Sequence, residues 1–250
     1  MIKVEFENSR GLNLVGNLYS VDSDLIIIFS HGWISNKDSK GRFTLLAKAL
    51  NNCGYDILTF DFSGCGESDN DICTTEKRID DLKSAIKFIK SKGYKKIALY
   101  GHSFGSYISL LSYNKDISAI ALSGALTDSM NYNWEEYLDE NQLNDLNNKG
   151  YFIENVNEIQ RKSVVVDNSM LLDFQSINQE KLLKNITCPV IIIHGDNDDE
   201  EVQLCKRSKN AMNYLKNSDI VVIHGENHSF INHYDKLVEI ITKWFLKHFK

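Results

Sequence analysis

The stretch Ile97-Ala98-Leu99-Tyr100-Gly101-His102-Ser103-Phe104-Gly105 decides the fold. Its first four residues are an apolar run of strand length, and Gly101 to Gly105 fits Gly-x-Ser-x-Gly. Phe104 to Tyr113 then carries apolar residues at three- and four-residue spacing, as a helix packed on a sheet should. A sharp strand-to-helix turn forces the serine into a strained backbone conformation. Only small residues two positions either side let the neighbouring backbones approach, so Ser103 Oγ projects above the sheet.

Outward from this turn, the runs Leu25 to Ser30, Tyr55 to Phe60, Lys96 to Tyr100, Ile117 to Leu122, Val190 to His194 and Ile220 to His224 are nearly continuous in apolar residues. Strands covered on both faces read this way. Residues 2 to 7 and 12 to 19 alternate apolar and polar around Arg10-Gly11, which predicts a hairpin with one face in water. Helical spacing over Arg42 to Asn52, Ile79 to Lys90 and Lys236 to Phe249 supplies crossover elements. The expectation is an α/β fold: a mostly parallel eight-stranded sheet with helices on both faces. The interval from 124 to 188 is too long for a loop or a single crossover helix. It reads as a cap inserted within one domain spanning 1 to 250, with a helix near Trp134 to Asn147 and a hairpin around Tyr151 to Val166.

Composition sets outer bounds. Of 250 residues, 42% are apolar and 25% charged, ordinary globular values. Lys and Arg number 28 against 34 Asp and Glu, a net charge of −6. Without a basic stripe, this argues against nucleic acid and against a polybasic membrane anchor. No apolar run approaches the roughly 18 to 20 residues of a membrane span. Met1 to Glu7 alternates charged and apolar residues, unlike a secretory signal, so the cytoplasm is the expected location. The five cysteines are odd in number and lack a Cys-x-x-Cys pair, which suggests neither a disulfide framework nor a zinc ribbon. No metal or cofactor is expected, and no sequence feature fixes an oligomeric state.

A serine hydroxyl is a weak nucleophile and needs an imidazole base oriented by a carboxylate. Gly195-Asp196-Asn197-Asp198-Asp199 follows one buried strand and Gly225-Glu226-Asn227-His228-Ser229 the next. Both loops lie at the carboxyl end of the sheet beside Ser103, where open α/β sheets place ligands. Only His228, among seven histidines, combines a loop position with the right place in chain order. Asp196, Asp198, Asp199 and Asp128 are the candidate acids. Asp61 and Ser68 read as turn-capping groups, and Cys65 as a structural thiol.

These segments resemble those of the α/β-hydrolases nearly end to end, apart from the cap. His31-Gly32-Trp33 resembles the family's oxyanion loop, Asp61-Phe62-Ser63-Gly64-Cys65-Gly66-Glu67-Ser68 its Asp-x-x-Gly-x-Gly-x-Ser turn, and His194-Gly195-Asp196-Asn197-Asp198 its His-Gly-x-x-Asp segment. The resemblance implies Ser103 as nucleophile, Asp198 as acid and His228 as base. It also implies an oxyanion hole made by the backbone N–H groups of Trp33 and Phe104. One departure stands out: Glu200-Glu201-Val202 occupies the place where the family usually has Val-Pro. Small cinnamoyl and feruloyl esterases are similar in the N-terminal hairpin, the Asp-Phe-x-Gly-x-Gly turn and the cap length.

The resemblance therefore implies a cofactor-independent serine hydrolase that cleaves small-molecule carboxylic esters through an acyl-enzyme on Ser103. Trp33, Tyr132, Trp134 and Tyr137 are candidate substrate contacts, with a small core of the cap's own as the alternative for its aromatics. The same constellation would serve an aminopeptidase or amidase, an acyl-lipid or thioester hydrolase, or an acyltransferase. A silent member of the fold that only binds a ligand is the alternative outside catalysis.

Overall fold

A computed structural model describes residues 1–250. The alternating N-terminus forms β1 (Ile2–Glu7) and β2 (Asn13–Tyr19), paired antiparallel. Then come β3 (Leu25–Ser30), β4 (Asp56–Phe60), a short β5 (Ile72–Cys73), β6 (Lys96–His102) and β7 (Ile117–Ser123). The 124–189 interval holds β8 (Tyr151–Asn155) and β9 (Ser163–Asp167), and β10 (Val190–Gly195) and β11 (Ser218–Ile223) follow it. Eight strands make one sheet in the order β1-β2-β4-β3-β6-β7-β10-β11, parallel from β4 to β11.

Side-chain alternation splits the buried strands between two cores. Ile26, Ile28 and Leu99 meet α2 (Thr75–Ser91), α3 (Phe104–Leu111) and α8 (Asp199–Ala211) on one face. Ile27, Phe29 and Tyr100 meet α1 (Arg42–Asn52) and α9 (Tyr234–His248) on the other. The strand pattern and four of the helices lie where periodicity places them. Within 124–189 the single expected helix is instead two, α4 (Trp134–Tyr137) and α5 (Glu140–Lys149). They part at Asp139, whose extended backbone caps α5 in a reciprocal pair with Gln142. Two further helices, α6 (Asn168–Ser176) and α7 (Gln179–Leu183), complete the interval.

This segment is tied to the body of the sheet through the Asp61–Cys73 turn. Strand β9 pairs with β5, and Arg161 donates to the Gly66 carbonyl at 3.1 Å and to Asn70 Oδ1 at 2.6 Å. Asp61 is buried and organises the turn, accepting from the backbone N–H groups of Lys37 at 2.6 Å and Glu67 at 2.9 Å. Ser68 Oγ donates to the Asp61 carbonyl at 2.6 Å.

The turn between β6 and α3 leaves no room for a side chain at Gly101 or Gly105, two positions either side of Ser103. A Cβ at Gly105 would overlap the Ser30 carbonyl oxygen and lie 2.6 Å from that of His31, both fixed backbone atoms. Gly105→Ala is expected to destabilise the fold by about 1–3 kcal/mol or more, as overpacking does. A thermal melt within a degree of wild type would contradict this close approach.

Candidate active site

Ser103 follows β6 as the N-cap of α3, with φ 52° and ψ −127°, a conformation that L-residues rarely adopt. Its Oγ lies 2.8 Å from His228 Nε2. His228 sits in the loop after β11, and its own N–H donates to Asp198 Oδ2 at 2.7 Å. The structure thus brings Ser103 and His228 together as chain order suggests.

The carboxylate against the imidazole belongs to Glu201 rather than Asp198. Glu201 Oε1 is 2.5 Å from His228 Nδ1. Asp198 is instead the N-cap of α8, with Oδ1 accepting the Glu201 N–H at 2.7 Å, so both of its oxygens serve backbone groups. This corrects the expectation that Asp198 orients the base. The physical reason is the helix start. Asp198-Asp199-Glu200-Glu201 has the spacing of an N-cap acid followed by an N3 glutamate, and where the family usually has Val-Pro this chain begins a helix. Glu201 then points back over the turn toward His228. The capping spacing was visible in the sequence and is the signal that would have found it.

Glu201 is fully buried and multiply held. Its Oε2 accepts from the Gly195 N–H at 2.8 Å and lies 2.9 Å from His194 Nδ1, whose Nε2 is 2.9 Å from Ser208 Oγ. Burial opposes the charge on Glu201, but the hydrogen bonds from His194 and His228 outweigh it and hold its pKa down to about 2. For His228, burial acts to lower the pKa. The Glu201 hydrogen bond and the charges of Glu200, Glu201 and Asp198 outweigh burial and raise it above 6.5. An ionised Glu201 accepting from Nδ1–H leaves Nε2 free to accept from Ser103. Gly124, at φ 55° just after β7, makes room for the pair: a Cβ there would sit 2.9 Å from the imidazole and 3.0 Å from Glu201 Oε1.

The His31-Gly32-Trp33 loop abuts the serine. A Cβ on Gly32 would lie 3.3 Å from Ser103 Cβ. Trp33 is outside the helices and strands, and its N–H makes no hydrogen bond within the protein. Phe104 is the first residue of α3, a position whose N–H has no acceptor in its own helix. His31 Nε2 accepts the Phe62 N–H at 3.2 Å, so the ring proton sits on Nδ1, 3.0 Å from the Gly32 carbonyl oxygen. Burial first, and then the neighbouring Arg78, push the His31 pKa well below its usual value and keep the ring neutral.

A cavity of about 470 Å³ opens over Ser103, lined on its apolar side by Trp33, Phe104, Tyr132, Trp134, Phe152 and Phe174. Tyr137 also lines it, although that side chain is largely exposed. Trp33 and Trp134 stack with centroids 5.9 Å apart, and Phe174 touches both at 5.7 Å. The four predicted contact residues therefore line the cavity into which Ser103 opens, and the aromatics of the inserted segment also pack on one another. Charged groups line it as well, Lys40, Arg42, Glu154 and Glu200 among them; Glu200 Oε1 accepts from Tyr132 Oη at 2.8 Å and lies 3.9 Å from His228 Nε2. No group of three or more His, Cys, Asp or Glu side chains is arranged to hold a metal ion.

Residues 26–234 match the family model of the alpha/beta hydrolase fold, and the chain belongs to that family. Among solved structures it is similar to Est1E of Butyrivibrio proteoclasticus, determined with ferulic acid bound. The TM-score is 0.78 at 19% identity, covering 98% of each chain, which is a likeness of fold. Among curated proteins it is 27% identical over 123 residues to a proline iminopeptidase of Saccharolobus solfataricus, covering 47% of this chain and 39% of the relative. It is 23% identical over 184 residues to human protein ABHD12B, covering 71% and 46%. The chain spans less than half the length of these two relatives. No helix is long and apolar enough to cross a membrane.

Proposed function

We propose that the protein is a serine hydrolase acting on carboxylic esters of small molecules. Ser103 Oγ attacks the ester carbonyl as His228 Nε2 takes its proton, and Glu201 stabilises the imidazolium that forms. The N–H groups of Trp33 and Phe104 receive the oxyanion. His228 then returns the proton to the leaving alcohol, and a water activated in the same way releases the acid from Ser103. The observation that carries this reading is the continuous hydrogen-bonded line Ser103–His228–Glu201 at 2.8 and 2.5 Å, opening into a cavity.

The acyl group that fits best is aromatic. Planar rings stack favourably on Trp and Phe faces, adding about 0.5–1.5 kcal/mol per pair beyond burial, and segment 124–188 acts here as a cap that supplies Tyr132, Trp134, Phe152 and Phe174. The ferulate held by the structurally similar Est1E agrees with this choice. A second reading, an aminopeptidase, is favoured by the Glu200 carboxylate in the cavity, which would pair with a substrate ammonium. A panel of methyl ferulate, short p-nitrophenyl esters and an aminoacyl anilide separates the two. Hydroxycinnamate or short esters are expected to give the highest kcat/KM, whereas turnover of the anilide alone would overturn the esterase reading.

A further inference from the structure

Arg78 has no part in the mechanism above, yet it is the largest fully buried side chain in the protein. It projects from the first turn of α2 into the space behind the Gly32–Trp33 peptide. A buried guanidinium ordinarily finds a carboxylate. This one hydrogen-bonds to none: Nη1 donates to the Gly32 carbonyl at 3.3 Å, Nη2 to Cys65 Sγ at 3.5 Å, and Nε has no partner. Phe62 and Phe104 flank it, their ring centroids 5.2 and 5.4 Å from Cζ.

Two of these contacts converge on the oxyanion site. The Gly32 carbonyl and the Trp33 N–H belong to one planar peptide, so donors fixed at the oxygen fix the direction of the N–H at the other edge. Arg78 and His31 are two such donors. Hydrogen bonds in series polarise one another, so a full charge on the carbonyl strengthens the N–H as a donor. The other proposed donor, the Phe104 N–H, belongs to a residue whose ring packs against the same guanidinium.

We propose that Arg78 is a positioning residue for the oxyanion hole, orienting and polarising the Gly32–Trp33 peptide so that the tetrahedral state gains more than the bound ester does. The proposal rests on the reading of Ser103 as an acylated nucleophile. Deleting an oxyanion donor outright costs about 10²–10³-fold in kcat. Arg78→Met, which leaves the donor in place but unsupported, is expected to lower kcat about 10- to 100-fold with KM within about twofold.

The test measures ester turnover by wild type, Arg78→Met and Arg78→Lys, with a boronic acid as tetrahedral mimic and the product acid as ground-state ligand. Boronate affinity should fall in parallel with kcat, product-acid affinity should hold, the His228 pH midpoint should stay in place, and lysine should restore part of the rate. Unchanged kcat in a folded Arg78→Met, or equal loss of boronate and product-acid affinity, would overturn the proposal. Should Arg78→Met not fold, the Trp33 amide proton is compared between wild type and Arg78→Lys by NMR: an upfield shift in the variant supports the proposal, and an unmoved resonance overturns it. A wild-type protein that neither cleaves an ester nor is phosphonylated at Ser103 by a fluorophosphonate overturns the hydrolase reading along with this one. A reactive wild type beside an unimpaired Arg78→Met overturns this one alone.

Discussion

Ser103→Ala is expected to lower kcat/KM for the best ester by about 10⁴-fold or more, on the order of 5.5 kcal/mol of lost transition-state stabilisation. The hydroxyl is the atom that forms the acyl bond. Without it, only binding and the two backbone donors remain to assist direct attack by water. Protein stability should barely change, because alanine inherits the same positive φ of 52° and the lost Oγ makes its hydrogen bond at the rim of the cavity. A fluorophosphonate followed by intact mass gives an independent reading: wild type gains one phosphonyl group and the variant none. Turnover by Ser103→Ala at the wild-type rate would remove the nucleophile and the mechanism together.

How far the residues announced this site depends on what each kind of residue reports. The strands were legible because burial on both faces leaves runs such as Leu25 to Phe29 with no polar interruption. The serine turn was legible because its glycines answer to fixed backbone close by. The helix near Trp134 to Asn147 was legible but its division into α4 and α5 was not, since neither helix has a buried residue and the boundary rests on the cap at Asp139. The loops after β10 and β11 could be placed at the right end of the sheet by order alone. Which acid meets the imidazole depended on where α8 begins, a matter of one helical turn. Gly124 and Arg78 left no trace, because one acts by lacking a side chain next to residues distant in sequence and the other through a carbonyl.

That one-turn difference gives the second large effect. Glu201→Gln is expected to reduce kcat by about 10³–10⁴-fold: the amide removes the charge that stabilises the imidazolium and no longer fixes the tautomer that presents Nε2 to Ser103. The pH profile should change with it. His228 must be neutral to accept the Ser103 proton, so the wild-type rate rises with pH through a midpoint above the ordinary imidazole value of 6.5. The Glu201 hydrogen bond is the largest of the influences that raise it, so Glu201→Gln should move the midpoint to lower pH even as the plateau falls. Asp198→Ala acts differently. It removes the N-cap of α8, about 1 kcal/mol of stability, along with the acceptor for the His228 N–H. Its rate loss should be the smaller of the two, about tenfold, with only a slight downward shift in midpoint, since Asp198 is a lesser contributor to the raised pKa. The order of the two losses in folded protein decides between the acids. If Asp198→Ala were the more damaging and Glu201→Gln left the midpoint in place, Asp198 would be the partner of the base, and the loop after β10 would have to rearrange when substrate binds.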